Sequence, residues 1–421
     1  MVIEKPKLFS DRRDFLIFAF VILALMLGRL FFSYQAYTAF IAKPFYYTTA
    51  KVLNVYPKER KGRQYTVLKL LSEEGLHFFT STPDQKHWMG KKLRLEIYPS
   101  AHIHFFGYLG SFYVKSRIKK ILPSSPEPKD LLMQRIASQH AHPMMQSFYQ
   151  AIFFASPLSK ALREKISLLG VSHLVALSGF HLGILWSLVY GVLLLLYRPL
   201  QLRYFPYRYS LLDMGLVTIL CLGIYLWFVD FPPSLMRSYA MVLVGWIVIL
   251  VGMDLMSFAF LATVGLTLLA LFPALLVSLG FWLSMAGVFY IFLLLQYTKG
   301  VHKGIISLLV IPVGIFVLML PVVHTVFGLT TPYQLLSPLL SLLFIPFYPL
   351  VIVLHLLGSG NLLDGSLLWL FGFTGEYSDR ILPLWAASVY MGLSVVAIWS
   401  RGAFGLLLGV ALCYGAYLFL W

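Results

Sequence analysis

Two hydrophobic patterns follow one another along the chain. Residues 15–41 are almost continuously apolar, and a stretch of this length predicts a helix that crosses a membrane. From residue 43 to residue 122, apolar and polar residues alternate in short runs, which is typical of β-strands. After residue 172 the apolar runs again reach the length of membrane helices. The pattern predicts a polytopic α-helical membrane protein with about 10 membrane helices and a small N-terminal extramembrane β-barrel.

The later apolar runs predict nine helices, near residues 173–197, 211–229, 234–252, 256–272, 275–297, 304–320, 335–357, 382–399 and 403–420. Pro338, Pro346 and Pro349 are expected to break the seventh of them, because proline removes a helical hydrogen bond. Residues 367–373 are too short to cross, so one segment of this region is expected to be re-entrant.

The alternating region predicts strands near residues 47–56, 64–71, 76–80 and 91–98, separated by turn-forming residues. Short strands at this spacing favour a small barrel of the oligonucleotide-binding type, an OB-like fold. Residues 111–122 place apolar side chains against lysines at helical spacing, which predicts an interfacial amphipathic helix.

The first helix indicates the orientation. Arg12 and Arg13 precede it and favour a cytoplasmic N-terminus. No small-residue cleavage site follows promptly, so we expect an uncleaved anchor, with the barrel on the far side of the membrane, which is the periplasmic side in a Gram-negative cell. The predicted divisions are an anchor (1–42), the basic barrel with its amphipathic helix (43–122), a linker with mixed-polarity helices (123–170) and a transmembrane domain (171–421).

Composition agrees with this division. The chain is 59% hydrophobic and 12% charged, which excludes a soluble globular protein because no single core could bury so much apolar surface. The net charge of +16 is concentrated in residues 1–170, which carry 25 Lys and Arg against 11 Asp and Glu. The two cysteines, Cys221 and Cys413, lie in apolar runs and predict neither a disulfide framework nor a zinc site.

Residues 170–183 (GVSHLVALSGFHLG) contain the most distinctive polar pattern of the membrane region. Ser178 and His181 share a helix face at a spacing of three residues, and Gly179 and Gly183 allow a close helix contact or a break. His173 precedes them. By residue chemistry alone, these side chains are either polar groups satisfied at a helix contact or groups that serve transport.

Three segments together resemble the ComEC competence family. They are residues 173–183, the segment Pro232–Ser238 (PPSLMRS), and the segment Leu279–Ser284 (LGFWLS). Their order after an anchor helix and a small barrel is also similar to that of the family. The resemblance implies an inner-membrane channel that passes single-stranded DNA during natural transformation. It also implies the channel residues His173, Ser178, Gly179, His181, Gly183, Ser234, Arg237, Phe281 and Ser284.

The resemblance also implies partners: a periplasmic DNA receptor, a cytoplasmic helicase-like translocase, and a separate nuclease that removes the other strand, all acting at the lipid bilayer. Many family members carry a C-terminal metallo-β-lactamase-like domain, and we expect this chain to be a short form without it. The late family motif with Asn before Pro reads Ser337-Pro338 here, which weakens the assignment of polar pore residues in that helix.

Arg237 stands out on physical grounds as well. It is the only Lys or Arg between Arg208 and Lys299, and a charge in the bilayer core costs about 3 kcal/mol on insertion scales. Its guanidinium could contact a phosphate, or it could reach the headgroups or pair with Asp230 or Asp254. The family motif favours the phosphate contact.

The barrel region supports nucleic-acid binding through charge and aromatic side chains together. The predicted basic patch consists of Lys58, Arg60, Lys61, Arg63, Lys69, Lys91, Lys92 and Arg94, interleaved with Tyr65, Phe78, Phe79, Trp88 and Tyr98. For any single aromatic residue, a place in the barrel core is the simpler interpretation.

Enzyme chemistry is poorly supported. The pairs His102/His104 and His140/His142 lack the further ligands of a metal site, and no phosphate loop that binds a nucleotide is present. We therefore predict no catalytic residues, metal or cofactor. The alternative is a polytopic transporter or enzyme for a lipid-linked or polymeric envelope precursor, for which the external acids would be Asp364, Glu376 and Asp379. A membrane scaffold built around the barrel is a third possibility.

Overall fold

The computed structural model describes residues 11–60, 63–84, 88–122, 128–250, 257–373, 375 and 377–420. The described chain forms two compact units. The sheet unit contains the described parts of residues 9–127 together with 262–281, and the helical unit contains those of residues 128–261 and 282–421. Because residues 262–281 belong to the sheet unit, this unit is not a single continuous stretch of sequence.

The helices are α1 (Arg12–Ile41), α2 (Phe105–Leu109), α3 (Pro128–Ala137), α4 (Pro143–Phe154), α5 (Lys160–Leu168), α6 (Ser172–Val175), α7 (Gly179–Tyr204), α8 (Ser210–Phe228), α9 (Pro233–Leu250), α10 (Phe258–Leu271), α11 (Leu279–Tyr297), α12 (Lys303–Ile305), α13 (Ile311–Val323), α14 (Ser337–Leu356), α15 (Asp364–Leu370), α16 (Leu384–Val396) and α17 (Arg401–Leu420). A π-helical turn, Ile306–Val310, joins α12 to α13. The strands are β1 (Tyr46–Arg60), β2 (Arg63–Ser72), β3 (His77–Thr82), β4 (Lys92–Tyr98), β5 (Phe112–Tyr113), β6 (Lys115–Leu122), β7 (Leu329–Thr330) and β8 (Ser378–Asp379).

The first six strands form one sheet in the order β5-β3-β2-β1-β4-β6. All neighbours pair antiparallel except β3 and β5, which are parallel. Strands β5 and β6 lie at the two edges, and among the described residues no backbone ladder joins these edges, so the sheet is not closed into the expected barrel. The two ends do approach each other, since the hydroxyls of Thr80 on β3 and Ser116 on β6 lie 2.7 Å apart.

The expected amphipathic helix over residues 111–122 is also wrong, because this segment forms β5 and β6. The spacing of its cations is compatible with both a helix and a strand. Lys115, Arg117 and Lys119 alternate with Ser116 and Ile118, as a strand requires. Ladder hydrogen bonds to β4 decide between the two, with Ile118 opposite Leu95 and Arg117 opposite Glu96.

The sheet curls around a core of apolar side chains that alternate along its strands. Leu68, Leu70, Phe78, Leu93 and Leu95 are fully buried. The anchor helix contributes to this core through Phe40 near its C-terminal end. The hydroxyl of Tyr37 on the same helix donates to the carbonyl of Ile103 at 2.8 Å. The sheet and the end of α1 therefore share one hydrophobic core.

Among the described residues of the helical unit, three buried apolar clusters are formed. The first joins α4, α5 and α6 to α14. The second joins α7, α8 and α9, and the third joins α11, α13, α16 and α17. The long helices α7, α8, α14 and α17 each bury a few side chains and leave many large apolar side chains exposed, which is the surface that a lipid environment covers.

Seven helices among the described residues are long and apolar enough to cross a membrane, and three further apolar helices are shorter. The predicted span 173–197 is interrupted at residues 176–178, between α6 and α7. In contrast, α14 runs unbroken through Pro346 and Pro349, so the expectation that the prolines break this span is wrong. Pro338 lies in its first turn, where proline is tolerated because that N–H has no helical partner.

Candidate functional site

The break between α6 and α7 is built by the serine and histidine that the sequence singles out. Ser178 has extended backbone angles and precedes the first residue of α7. Its backbone N–H donates to Nδ1 of His181 at 3.3 Å, and its hydroxyl lies at the same distance from that nitrogen. Because Nδ1 accepts a hydrogen bond, the neutral imidazole carries its proton on Nε2. The pair fixes both the start of α7 and the tautomer of His181.

His181 lies inside the helical unit with none of its surface exposed. The rings of Phe344 and Tyr348 on α14 stand edge-on to the imidazole, with centroid distances of 5.0 and 5.1 Å. Within the described part of the chain, Nε2 of His181 has no hydrogen-bond partner. An unsatisfied buried donor is costly in a native protein and is a common mark of a functional position.

The start of α9 packs directly on this break. The hydroxyl of Ser234 donates to the backbone carbonyl of Leu177 at 2.6 Å. Gly179 lies against Ser238, so closely that a methyl group on the glycine would be 3.0 Å from the serine hydroxyl. Two of the three segments that the sequence singles out, residues 173–183 and 234–238, are therefore in contact.

Arg237 is 6% exposed and lies three residues after Ser234, on the same side of α9. A buried guanidinium in an apolar helix requires polar surroundings, and the break in the neighbouring helix supplies backbone and hydroxyl groups close to Ser234. The structure thus places a buried, permanent cation about one turn along α9 from the bond between Ser234 and Leu177.

The other predicted channel residues are distributed differently. His173 is exposed, and its Nε2 lies 3.1 Å from the hydroxyl of Ser341 on α14. Gly183 is exposed on α7, and a methyl group there would meet nothing within 4 Å. Phe281 is fully buried and belongs to the sheet unit. Ser284 lies on α11 in the helical unit, and among the described residues it makes no hydrogen bond to either of the other segments.

The outward face of β1, β4 and β6 is strongly basic. Cross-strand pairs place like charges side by side, with Lys51 opposite Lys92 and Arg94 opposite Lys120. Seven cations share this basic face: Lys51, Lys92, Arg94, Lys115, Arg117, Lys119 and Lys120. Tyr47 and Tyr98 lie among them and are 50% and 38% exposed. Exposed cations with aromatic rings between them are the features of a surface that binds single-stranded nucleic acid.

One acid lies within the basic face. Glu96 accepts hydrogen bonds from Lys119 at 2.7 Å, Tyr98 at 2.8 Å and Tyr47 at 3.1 Å. The bond from Lys119 holds the pKa of this carboxyl below its ordinary value. The acid therefore neutralises one lysine and orients two tyrosines.

The predicted basic patch is only partly on this face. Lys92 and Arg94 belong to it, and Lys58 is exposed nearer the β1–β2 turn. Lys91 is half-buried, and Lys69 lies 5.9 Å from the ring of Phe79 on the outward side of β2 and β3. The side chains of Arg60, Lys61 and Arg63 lie outside the described residues. The sequence also missed Lys51, because its cross-strand neighbour becomes known only from the strand register.

The interleaved aromatic residues divide into two groups. Phe78 and Trp88 are 0% and 2% exposed and form part of the sheet core, as the simpler interpretation expected. Phe79 and Tyr65 are half-buried, and Tyr98 is exposed. Only this second group could stack against bases.

Metal binding finds no support among the residues that the structure describes, where no group of three ligating side chains is close enough to hold an ion. Of the three external acids, Asp364 is bound to His140 at 2.9 Å, and Asp379 lies on β8. Glu376 lies outside the described residues. A cavity of about 660 Å³ between α6, α14 and α15 is lined almost entirely by apolar side chains, including Phe148, Leu340 and Phe371. Such a lining is unsuited to a phosphate chain.

These features define a multi-pass membrane protein with an additional basic β-sheet. The model of the family "Competence protein" matches residues 154–421, and the chain belongs to this family, as the sequence motifs indicated. A relative in Aquifex aeolicus (strain VF5), described as an "Uncharacterized protein", is 26% identical over 273 residues, which cover 63% of this chain. The match spans 60% of the length of that relative. No solved structure matches the chain.

Proposed function

We propose that the protein is the inner-membrane channel that passes single-stranded DNA into the cytoplasm during natural transformation. The observation that carries the proposal is the contact between residues 173–183 and the start of α9, made by the hydrogen bond from Ser234 to Leu177. It gathers two family motifs around a helix break in a membrane bundle.

A helix break at membrane depth leaves backbone groups without helical partners, and such groups are tolerated only inside protein or beside water. Here the break adjoins His181 and Arg237, whose side chains are buried. Transporters use the same arrangement, in which the N-terminal end of a half-helix faces an anionic substrate. In this proposal, Arg237 and the Nε2–H of His181 contact successive phosphates of the strand.

A channel for a polyanion must attract the strand without retaining it. The helical unit suits this requirement because its membrane helices have few fixed charges, with Arg237 the single Lys or Arg between residues 208 and 299. The basic face of the sheet, on the periplasmic side in this proposal, receives the strand before it enters, as an OB-like domain would. Ser284 and Phe281 are further candidates for the path by family resemblance.

The proposal includes partners that the chemistry requires. The sequence contains no phosphate loop that binds a nucleotide, and the family resemblance implies that a cytoplasmic helicase-like translocase supplies the energy. A periplasmic receptor delivers the DNA, and a separate nuclease removes the second strand.

The test uses cells that produce Arg237→Ala at the wild-type protein level. We expect transformants to fall at least tenfold, while DNase-protected DNA still accumulates outside the cytoplasmic membrane. Arg203→Ala is the matched control, because Arg203 is exposed at the C-terminal end of α7. If Arg237→Ala transforms as efficiently as the wild type, Arg237 does not lie on the path and the proposal loses its central residue.

A further inference from the structure

A chain of three titratable side chains lies in the helical unit, away from Ser178 and Arg237. Nδ1 of His140 lies 2.9 and 3.0 Å from the two carboxylate oxygens of Asp364. Nε2 of the same ring lies 2.9 Å from Nε2 of His355, and Nδ1 of His355 lies 2.6 Å from the carbonyl of Val351. Three successive hydrogen-bonded contacts therefore link Asp364, His140, His355 and the carbonyl of Val351.

The number of protons that these three contacts need follows from which atoms can donate a hydrogen bond and which can only accept one. A carbonyl can only accept, so Nδ1 of His355 carries a proton. The two facing Nε2 atoms need one hydrogen between them, and the contact between Asp364 and His140 needs another. Three contacts thus require three protons, whereas two neutral imidazoles and a carboxylate provide two.

Burial favours the form with three protons. The side chain of His140 is 0% exposed and that of Asp364 is 15% exposed. With two protons the group carries a net negative charge, and the two facing nitrogens present lone pairs to each other. With three protons the group is neutral overall and every contact holds one hydrogen. A neutral, fully bonded group is the stable one in apolar surroundings.

The neighbouring side chains supply no competing charge. The ring of Tyr149 on α4 stacks on His140 at a centroid distance of 4.4 Å, and burial raises the pKa of its phenol, so it stays neutral. Phe153 stands edge-on to His355. The amides of Gln139 and Gln146 hold the carbonyls of His355 and His140 at 3.1 and 2.8 Å. The charged groups that act on His355 are the other two members of the group, His140 and Asp364.

We propose that Asp364, His140 and His355 form a binding site for one proton, which fastens the C-terminal end of α14 to the loop before α4. The proton enters through Asp364, the one partly exposed member. The filled site holds three protons, one more than two neutral imidazoles and a carboxylate hold. Stability from the site is therefore lost as the pH rises and the proton is released. It is also lost in acid, because the unfolded histidines bind a fourth proton for which the folded site has no place.

The test measures the thermal unfolding midpoint of the full chain in lipid nanodiscs between pH 5.5 and 9. For the wild type we expect a maximum near neutrality, with a fall on both sides. Asp364→Asn is the decisive variant, because the asparagine amide can donate to Nδ1 of His140 and so fill all three contacts without the third proton. We expect Asp364→Asn to abolish the fall at high pH, whereas His102→Gln, at an exposed histidine of the sheet unit, should keep it.

An Asp364→Asn variant with the same fall at high pH as the wild type overturns the proposal. If this variant does not fold, spectra of the wild-type protein at pH 7.5 test whether the site holds its third proton. Nitrogen NMR of histidine-labelled protein should then show one imidazolium, or infrared spectra should show one protonated carboxyl group. The absence of both signals rejects the site.

Discussion

The basic face of the sheet gives the prediction with the best-defined magnitude. Each phosphate neutralised on a single strand contributes about −0.7 to the slope of log K against log salt concentration. If the six cations of the face besides Lys119, which pairs with Glu96 at 2.7 Å, all contact phosphates, the slope is about −4. Affinity for DNA then falls roughly 300-fold between 50 and 200 mM salt.

The perturbation is the double substitution Lys92→Ala/Arg94→Ala, which removes two exposed cations from the centre of the face. The slope should change to about −3, and the loss over the same salt range should shrink to roughly 50-fold. Fluorescence anisotropy of a labelled oligothymidine, titrated with the full chain in nanodiscs at several salt concentrations, measures both quantities. The full chain is needed because Phe40 of the anchor helix is part of the sheet core.

The matched control is Lys160→Ala/Arg163→Ala, which removes two exposed cations from α5 in the helical unit. It should leave the slope unchanged. If the variant on the basic face has the same slope as the wild type, this face does not bind the phosphates, and the sheet has no role as a DNA receiver.

Three further predictions concern packing. Phe78→Ala should destabilise the sheet unit by about 3–5 kcal/mol because Phe78 is fully buried. Phe79→Ala, at its half-buried neighbour, should leave the unfolding temperature nearly unchanged but weaken DNA binding by about 1–3 kcal/mol. The reverse ranking would contradict the division of the aromatic residues. Gly215→Ala should cost about 1–3 kcal/mol because its methyl group would overlap the indole of Trp246, whereas Gly191→Ala, with nothing within 4 Å, should unfold at the wild-type temperature or above. Ser234→Ala should lower the free energy of unfolding by about 0.5–1.5 kcal/mol because it removes the bond to Leu177. The control is Ser187→Ala, at an exposed serine of α7. If both variants unfold at the same temperature, the bond has no stabilising role.

Local signals in the sequence predicted the strands well. The alternation over residues 64–71 and 91–98 is confirmed by β2 and β4, because side-chain alternation and burial are properties of a single strand. Closure of the sheet could not be predicted, since it depends on ladders between strands far apart in sequence. Residues 115–122 match a helical and a strand period equally, and only pairing with β4 distinguishes them.

The candidate site shows the same limit. The pair Ser178 and His181 could be found from their spacing alone, and the contact of that pair with Ser234 was suggested only by the order of the family motifs. The proton site was not predicted, because the sequence pattern presents His140 only as half of a pair with His142 and Asp364 only as an external acid. His140 and His355 are 215 residues apart, neither lies in a motif, and a lone histidine gives no indication of its partner.

The helix α14 connects features that have so far been treated separately. Its N-terminal half contacts the candidate channel through Ser341, and its C-terminal end holds His355 of the proton site. Between these contacts, Pro346 and Pro349 lie inside the helix, and each removes one backbone hydrogen bond. The two halves of α14 can therefore bend relative to each other, as across a hinge. A displacement at the proton site would reach the candidate channel as a change in the tilt of one half of α14. The stiffer the short proline segment, the larger the part of the displacement that reaches the N-terminal half.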